Sequence, residues 1–427
     1  MLNILKYLKK HVGMVLLIIC LLIVQAACDL NLPQYMSRIV DVGIQQSGVE
    51  RATPDQMRPE TLEALTLFLS DEEEAVLRSA YETEGDLCRL TVTDGDQLDQ
   101  LDGMLRLPMA ALYQMGQQGM TPEQMTAMAA AAPDRQSVKA QIAQSMETMT
   151  AQLTGVSDTM LDQTAILFVQ QEYAATGVDL NQLQQSYLIS TGAKMLGLTL
   201  LMIVMAILAS LLASRVAATV GMELRGQVFR KVISFSNAEI DRFSTASLIT
   251  RSTNDIQQVQ MVMVLLLRMV IYAPILGIGG VIQVASTGTG MGWIIALAVG
   301  IILVVVAVLM RVAMPKFKIM QTMVDRLNLV SRETLTGLSV IRAFSREKYE
   351  EERFEGANRD LMRTQRFTNR TMSMMMPLMM LIMNGICVLI VWAGAHGIDL
   401  GTMQVGDKMA FIPYTMQIVM TCLLIAV

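Results

Sequence analysis

The chain has 427 residues, 53% of them hydrophobic, and a mean hydropathy of +0.44. Such a composition excludes an ordinary soluble globular protein and fits one that crosses a membrane several times. The net charge of −5 hides a split: residues 48–185 hold 22 Asp and Glu against 7 Lys and Arg, and the remainder holds 16 against 26. An acidic middle and a basic remainder are expected to face different compartments, and no nucleic-acid partner is expected. Of two His, His11 and His396 stand far apart, and no pair among the five Cys has ligand spacing, so no metal site is expected.

Lys6, Lys9 and Lys10 precede the first apolar run, Val12–Cys28. Positive charge ahead of a first span places the N-terminus in the cytosol. A cleaved leader is the competing reading, with Gln25-Ala-Ala-Cys28 at its end. The favoured reading is a retained helix that runs on past Cys28.

From about Gly48 to Gln185 no apolar run is long enough to span, and Gln, Met, Ala and acids dominate. By parity this segment is extracytoplasmic, and it is long enough to bury a core of its own. Ser70-Asp-Glu-Glu73 is a capping box that opens a helix. Thr121-Pro-Glu-Gln124 puts Pro at a first helical position. Further helices are predicted from Pro133-Asp134 and from Ser157-Asp158, and one short strand over Arg89–Gly95. Met115, Met120, Met125 and Met128 read as core filler, with a soft ligand surface or a copper site as the alternatives.

A second span is predicted from near Asp179 through the uncharged run Met195–Ala213. Residues 214–268 follow as a polar loop of 55 residues with no Pro. Such a loop is expected to be two helices continuing out of the bilayer, each about 22 residues and roughly 30 Å long, joined by a short crosspiece. The third and fourth spans share 42 uncharged residues, Met269–Met310, divided at Ser286–Gly290. Pro274 should kink the third. Arg268, at its cytosolic end, is expected to reach the lipid headgroups rather than mark a pathway.

Residues 311–370 form a second long loop of mixed charge, with apolar Ile341, Ala343 and Phe344 at its tip. Apolar residues so far from a bilayer need a protein partner. The fifth span, Thr371–Ala395, carries seven Met, among them Met376, Met380 and Met383, and one strongly polar residue, Asn384. Those four are candidates for a substrate cavity, with Asn384 expected to face the bundle interior. After an outer loop, His396–Asp407, a sixth span starts near Met409.

The two loops carry a resemblance. Leu224-Arg225, Phe243, Thr245, Leu248-Ile249, Arg251 and Asn254-Asp255 match in the first loop. Glu333, Gly337, Val340-Ile341, Ala343-Phe344, Glu347, Arg353-Phe354 and Asn358 match in the second. Both resemble the intracellular loops of ABC exporter transmembrane domains, over roughly residues 1–48 and 186–427. Ala246 stands where that family often has Gly. The resemblance implies an all-α membrane fold of six helices with long cytosolic extensions, plus a mainly helical insert between the first two. It implies coupling to a nucleotide-binding domain through Phe243, Thr245, Ala246, Ser247, Leu248, Arg251 and Asp255 in one tip. Ile341, Arg342, Ala343, Phe344, Glu347 and Phe354 would do the same in the other. ATP and Mg would bind that domain, not this chain, which has no Gly-Lys dipeptide and hence no phosphate-binding P-loop. The chain stops inside an apolar run, so the domain is expected in a following segment or a separate chain. A second exporter half is also implied, in a heterodimer, within lipid of a bacterial plasma membrane. The other function classes weighed are an ABC-linked force-transmitting subunit and a membrane sensor whose ectodomain binds a ligand.

Overall fold

A computed structural model describes residues 7–131, 139, 158–236, 239, 245–286, 290–401 and 403–426, the side chains of 158, 245, 246, 423, 425 and 426 aside. The helix expected over residues 133–153 lies outside the described residues, as does most of the turn at 286–290.

Helix α1, Val12–Arg38, runs past Cys28 and keeps Pro33 in its interior. A π-helical turn, Ile39–Gln45, extends it. Asp41 on that turn is buried. Its carboxylate accepts the Gly406 backbone N–H at 2.7 Å and the Ser37 hydroxyl at 3.2 Å.

The insert comes next. Helices α2 (Pro59–Thr66), α3 (Asp71–Ala80), α4 (Gly95–Gln117), α5 (Pro122–Ala131) and α6 (Asp158–Ala175) surround a small sheet. The capping box forms as expected: the Ser70 Oγ accepts the Glu73 N–H, and the Glu73 carboxylate accepts the Ser70 N–H at 2.9 Å. The strand prediction needs correcting. Residues 87–90, not 89–95, form β3, the centre of a three-stranded antiparallel sheet with β1 (Gln56–Met57) and β2 (Tyr81–Glu84). Gly85, at φ +64°, turns β2 into β3 and so fixes the register Thr83 opposite Cys88. Met57, Leu65, Leu77, Cys88, Leu105 and Met109 fill the core beneath. Of the four Met weighed above, Met125 is buried and Met115 packs on this core, whereas Met120 and Met128 are exposed.

Charge also organises the insert. Glu172 on α6 is buried, yet accepts from four groups: the Arg58 N–H at 2.7 Å, the Arg58 Nε at 3.2 Å and Nη2 at 3.1 Å, and the Thr61 hydroxyl at 2.9 Å. A buried carboxylate is tolerable only with such a set of donors. The pairing raises the Arg58 guanidinium further above its ordinary range. Tyr173, next in the chain, accepts the Asp55 N–H at 2.8 Å, and burial pushes its phenol up to about 12. Together these tie α6 to the segment entering the sheet.

The long helices follow. Asp179 caps α7, Leu180–Ile233, through the Asn181 N–H at 2.9 Å. Its 54 residues extend about 80 Å, against about 30 Å of bilayer hydrocarbon. The return leg is a broken helix: α8 (Thr245–Thr250), a π turn (Arg251–Asp255), α9 (Ile256–Leu265), a second π turn (Leu266–Val270) and α10 (Ile271–Ser286), with Pro274 inside α10. Then α11, Gly292–Thr336, descends 45 residues, α12 (Leu338–Ala343) crosses, and α13 (Glu347–Ser373) returns into α14 (Met375–Asp399). Helix α15, Val405–Ala426, begins four residues earlier than expected, so the outer loop is shorter and takes Asp407 and Lys408 into the helix.

Among the described residues, five helical runs are long and apolar enough to cross a membrane: Lys9–Gln45, Leu180–Ile233, Ser247–Ser286, Gly292–Thr336 and Glu347–Asp399. This is a helical, multi-pass membrane protein. Its apolar side chains lie both inside and out. Ala209, Ala213 and Ala217 of α7 are buried beside Ile18 and Leu22 of α1, where small residues let two backbones approach. A second core joins Ile294, Ala298 and Ile302 of α11 to Phe411, Tyr414 and Ile418 of α15. Leu196, Leu200, Ile203 and Ile207 face outward from α7, as lipid contact requires.

Candidate functional site

Two places carry function-bearing geometry: the tips of the paired legs, and a cavity among the spans.

At the second tip, α11 and α13 run antiparallel and are pinned to each other. Arg353 Nη2 meets Glu333 Oε2 at 2.6 Å, and its Nη1 meets Glu350 Oε2 at 3.4 Å. Further up, Arg326 pairs with Asp360 at 3.8 Å. Val330 and Ala357 are buried on these legs. Exposed pairs of this kind contribute little each, but a network of them aligns two long helices. Gly337 ends α11, donating its N–H to the Glu333 carbonyl at 2.9 Å, and α12 turns across the end of the hairpin. Ser345, at φ +50°, then reverses the chain into α13. The crosspiece presents Val340 at 58% exposure and Phe344 at 74%, beside Leu335 at 75%. Ile341 is half-buried; Arg342, Ala343, Glu347 and Phe354 are exposed.

Only the flanks of the first tip are described. Phe243 lies outside the described residues, and for Thr245 and Ala246 only the backbone of α8 is described. Ser247 and Leu248 are half-buried, and Ile249, Arg251 and Asp255 are exposed. Above the tip, α7 and α9 approach so closely at Gly221 that a Cβ there would meet the Gln260 side chain. Gln260 reaches over it and donates to the Ala217 carbonyl at 3.5 Å.

The cavity, of about 500 Å³, is walled by α1, the π turn at Leu266–Val270, α10, α14 and α15. Leu22, Leu276, Met383, Met416, Met420 and Leu424 make it mainly apolar; Gln25, Gln417 and Arg268 supply its polar groups. Tyr272 also lines it, donating its hydroxyl to Asp29 Oδ2 of α1 at 2.7 Å. Of the four cavity candidates, only Met383 is in this wall. Met376, Met380 and Asn384 are exposed on α14 in this chain and do not line this cavity. The reason is physical: with every face of α14 apolar, the sequence alone does not say which face packs. Arg268, expected to reach the headgroups, is exposed and also lines this cavity.

A profile of the ABC transporter transmembrane region matches residues 158–422, more than half of the chain. The chain belongs to the ABC transporter transmembrane family. Similarity to whole proteins agrees. An uncharacterized ABC transporter ATP-binding protein of Mycobacterium tuberculosis is 36% identical over 237 residues, 56% of this chain and 41% of that protein. An uncharacterized ABC transporter ATP-binding protein of Bacillus subtilis is 31% identical over 261 residues, 61% of this chain and 46% of that protein. An ATP-dependent lipid A-core flippase of Pseudomonas fluorescens is 28% identical over 194 residues, 44% and 31% of the two. This ABC transmembrane chain thus spans under half the length of these curated relatives. The profile begins inside α6, so most of the insert, residues 48–157, falls outside the shared region.

Proposed function

We propose that this chain is the membrane-spanning part of an ATP-driven exporter that moves apolar or amphipathic compounds outward by alternating access. Six spans, with α15 as the sixth, form half of the pathway, and a second exporter half completes it. Its N-terminus and leg tips lie in the cytosol, and its insert lies outside a bacterial plasma membrane. ATP and Mg bind a nucleotide-binding domain, supplied by a further segment or a separate chain. The names of the Mycobacterium and Bacillus relatives, each an ABC transporter ATP-binding protein, support that partner. The insert favours a heterodimer in which one half carries it.

The observation that carries this reading is the exposed crosspiece Leu338–Ala343 with Phe344, held rigidly at the end of two legs that continue from membrane spans. Closure of two ATP-bound domains would move the tips, and the legs would carry the motion to the spans as rigid bodies. The residues concerned transmit force and make no bond to ATP. The flippase among the relatives makes lipids a candidate cargo beside drugs and peptides. Transport into inverted membrane vesicles tests the reading. ATP-dependent uptake of an amphipathic dye, abolished when Phe344 and Val340 are both replaced by Asp, is expected. ATP-dependent uptake unaffected by that double change would refute coupling through this tip.

A further inference from the structure

Within the exporter reading, on which this inference rests, we infer that the cavity binds an amphiphile bearing an anionic group, with Arg268 as the residue that recognises the charge. The cavity's size is that of a site for one drug-sized molecule. Its wall is apolar except at a few points, and only one of its lining residues carries a full charge, Arg268. Among the described residues no carboxylate pairs with that guanidinium. The acid on the adjacent helix, Asp29, takes the Tyr272 hydroxyl instead. Arg268 is exposed at the leg-side end of its span and turns its charge toward this cavity wall.

Packing gives the ligand an orientation. Leu22 packs level with Leu267 and Ile271, on either side of Arg268, and the Tyr272 hydroxyl one turn on meets Asp29 of α1. The cavity therefore sets one cation beside an otherwise apolar wall. An anionic head at Arg268 with its chain among Leu22, Leu276, Met383 and Met420 satisfies both ends. A cationic drug would meet like charge, and a small inorganic anion would leave the apolar wall unfilled.

The test uses the complete transporter in nanodiscs of zwitterionic lipid and a chain-matched series: dodecyl phosphate, dodecylphosphocholine and dodecyltrimethylammonium, with inorganic phosphate as the tail-less arm. Binding of labelled dodecyl phosphate is expected to be about tenfold tighter than that of the cation. R268Q should abolish this preference while leaving dodecylphosphocholine binding intact, which also shows that the variant is folded; R268K should keep part of it. Met383→Trp, which fills the cavity, should weaken all three amphiphiles alike. Equal binding of dodecyl phosphate by R268Q and the parent would overturn the inference, as would competition by inorganic phosphate alone at equal strength. A charge preference seen without ATP-driven transport of any of the series would uphold this site and count against the exporter reading. Transport without charge preference would do the reverse.

Discussion

Phe344 and Glu172 are single residues placed for opposite reasons. Phe344 stands in the open; in the proposed reading, its partner is another protein. Phe344→Ala should weaken docking of an ATP-binding domain by about 2 kcal/mol, roughly thirtyfold, with the thermal stability of the chain unchanged; titration of the purified domain onto the chain in nanodiscs measures it. Glu172 is buried because its partners are its own; its loss removes the two-pronged partner of Arg58 and leaves that guanidinium only Glu123, at 3.3 Å. Glu172→Ala should cost the insert about 1–3 kcal/mol, seen as faster proteolysis of residues 48–175 with the spans intact. Only one of these two was legible beforehand. An apolar cluster at the tip of a charged loop stands out in the sequence. Glu172, one acid among the 22 of residues 48–185, does not, since its donors Arg58 and Thr61 lie over a hundred residues away.

Elements whose ends are set by local chemistry were the readable ones. Ser70, Asp179 and Pro122 mark helix starts where side chains or Pro satisfy the first turn, and each helix begins there. The sheet was not readable, because β1 is two residues long and exists only through its pairing with β3. The inward face of α14 was equally hidden, its residues being apolar all round. Two predictions belong at this scale. The Ser70 hydroxyl and N–H hold the Glu73 carboxyl below its ordinary range. A lowered value stabilises α3 above the unfolded carboxylate range, and that stability is lost as pH falls through the folded value, below the ordinary Glu range. Amide exchange in α3 should accelerate on acidification there, and E73Q should flatten the response. At the junction of α1 and α15, a Cβ on Gly406 would meet the Asp41 carboxylate and, at 2.5 Å, the Ser37 carbonyl, which is backbone and does not yield. Gly406→Ala should therefore lower the melting temperature in detergent, whereas Gly221→Ala, which meets only the flexible Gln260 side chain, should change it far less.

At the scale of the whole molecule, the account depends on one arrangement: legs and insert on opposite faces of a membrane, with spans between them. The charge split along the sequence predicts it, and the helix lengths are compatible with it, since α7 and α11 are each too long to end at the bilayer surface. The most direct measurement is labelling with a membrane-impermeant maleimide in a background with Cys20, Cys28, Cys88, Cys387 and Cys422 replaced by Ser or Ala. Cys is then introduced singly at exposed Met128 of the insert and at exposed Val340 of the second tip. In intact cells Met128→Cys should label at once, and Val340→Cys only after the membrane is opened. Labelling of both positions from the same side would contradict the account.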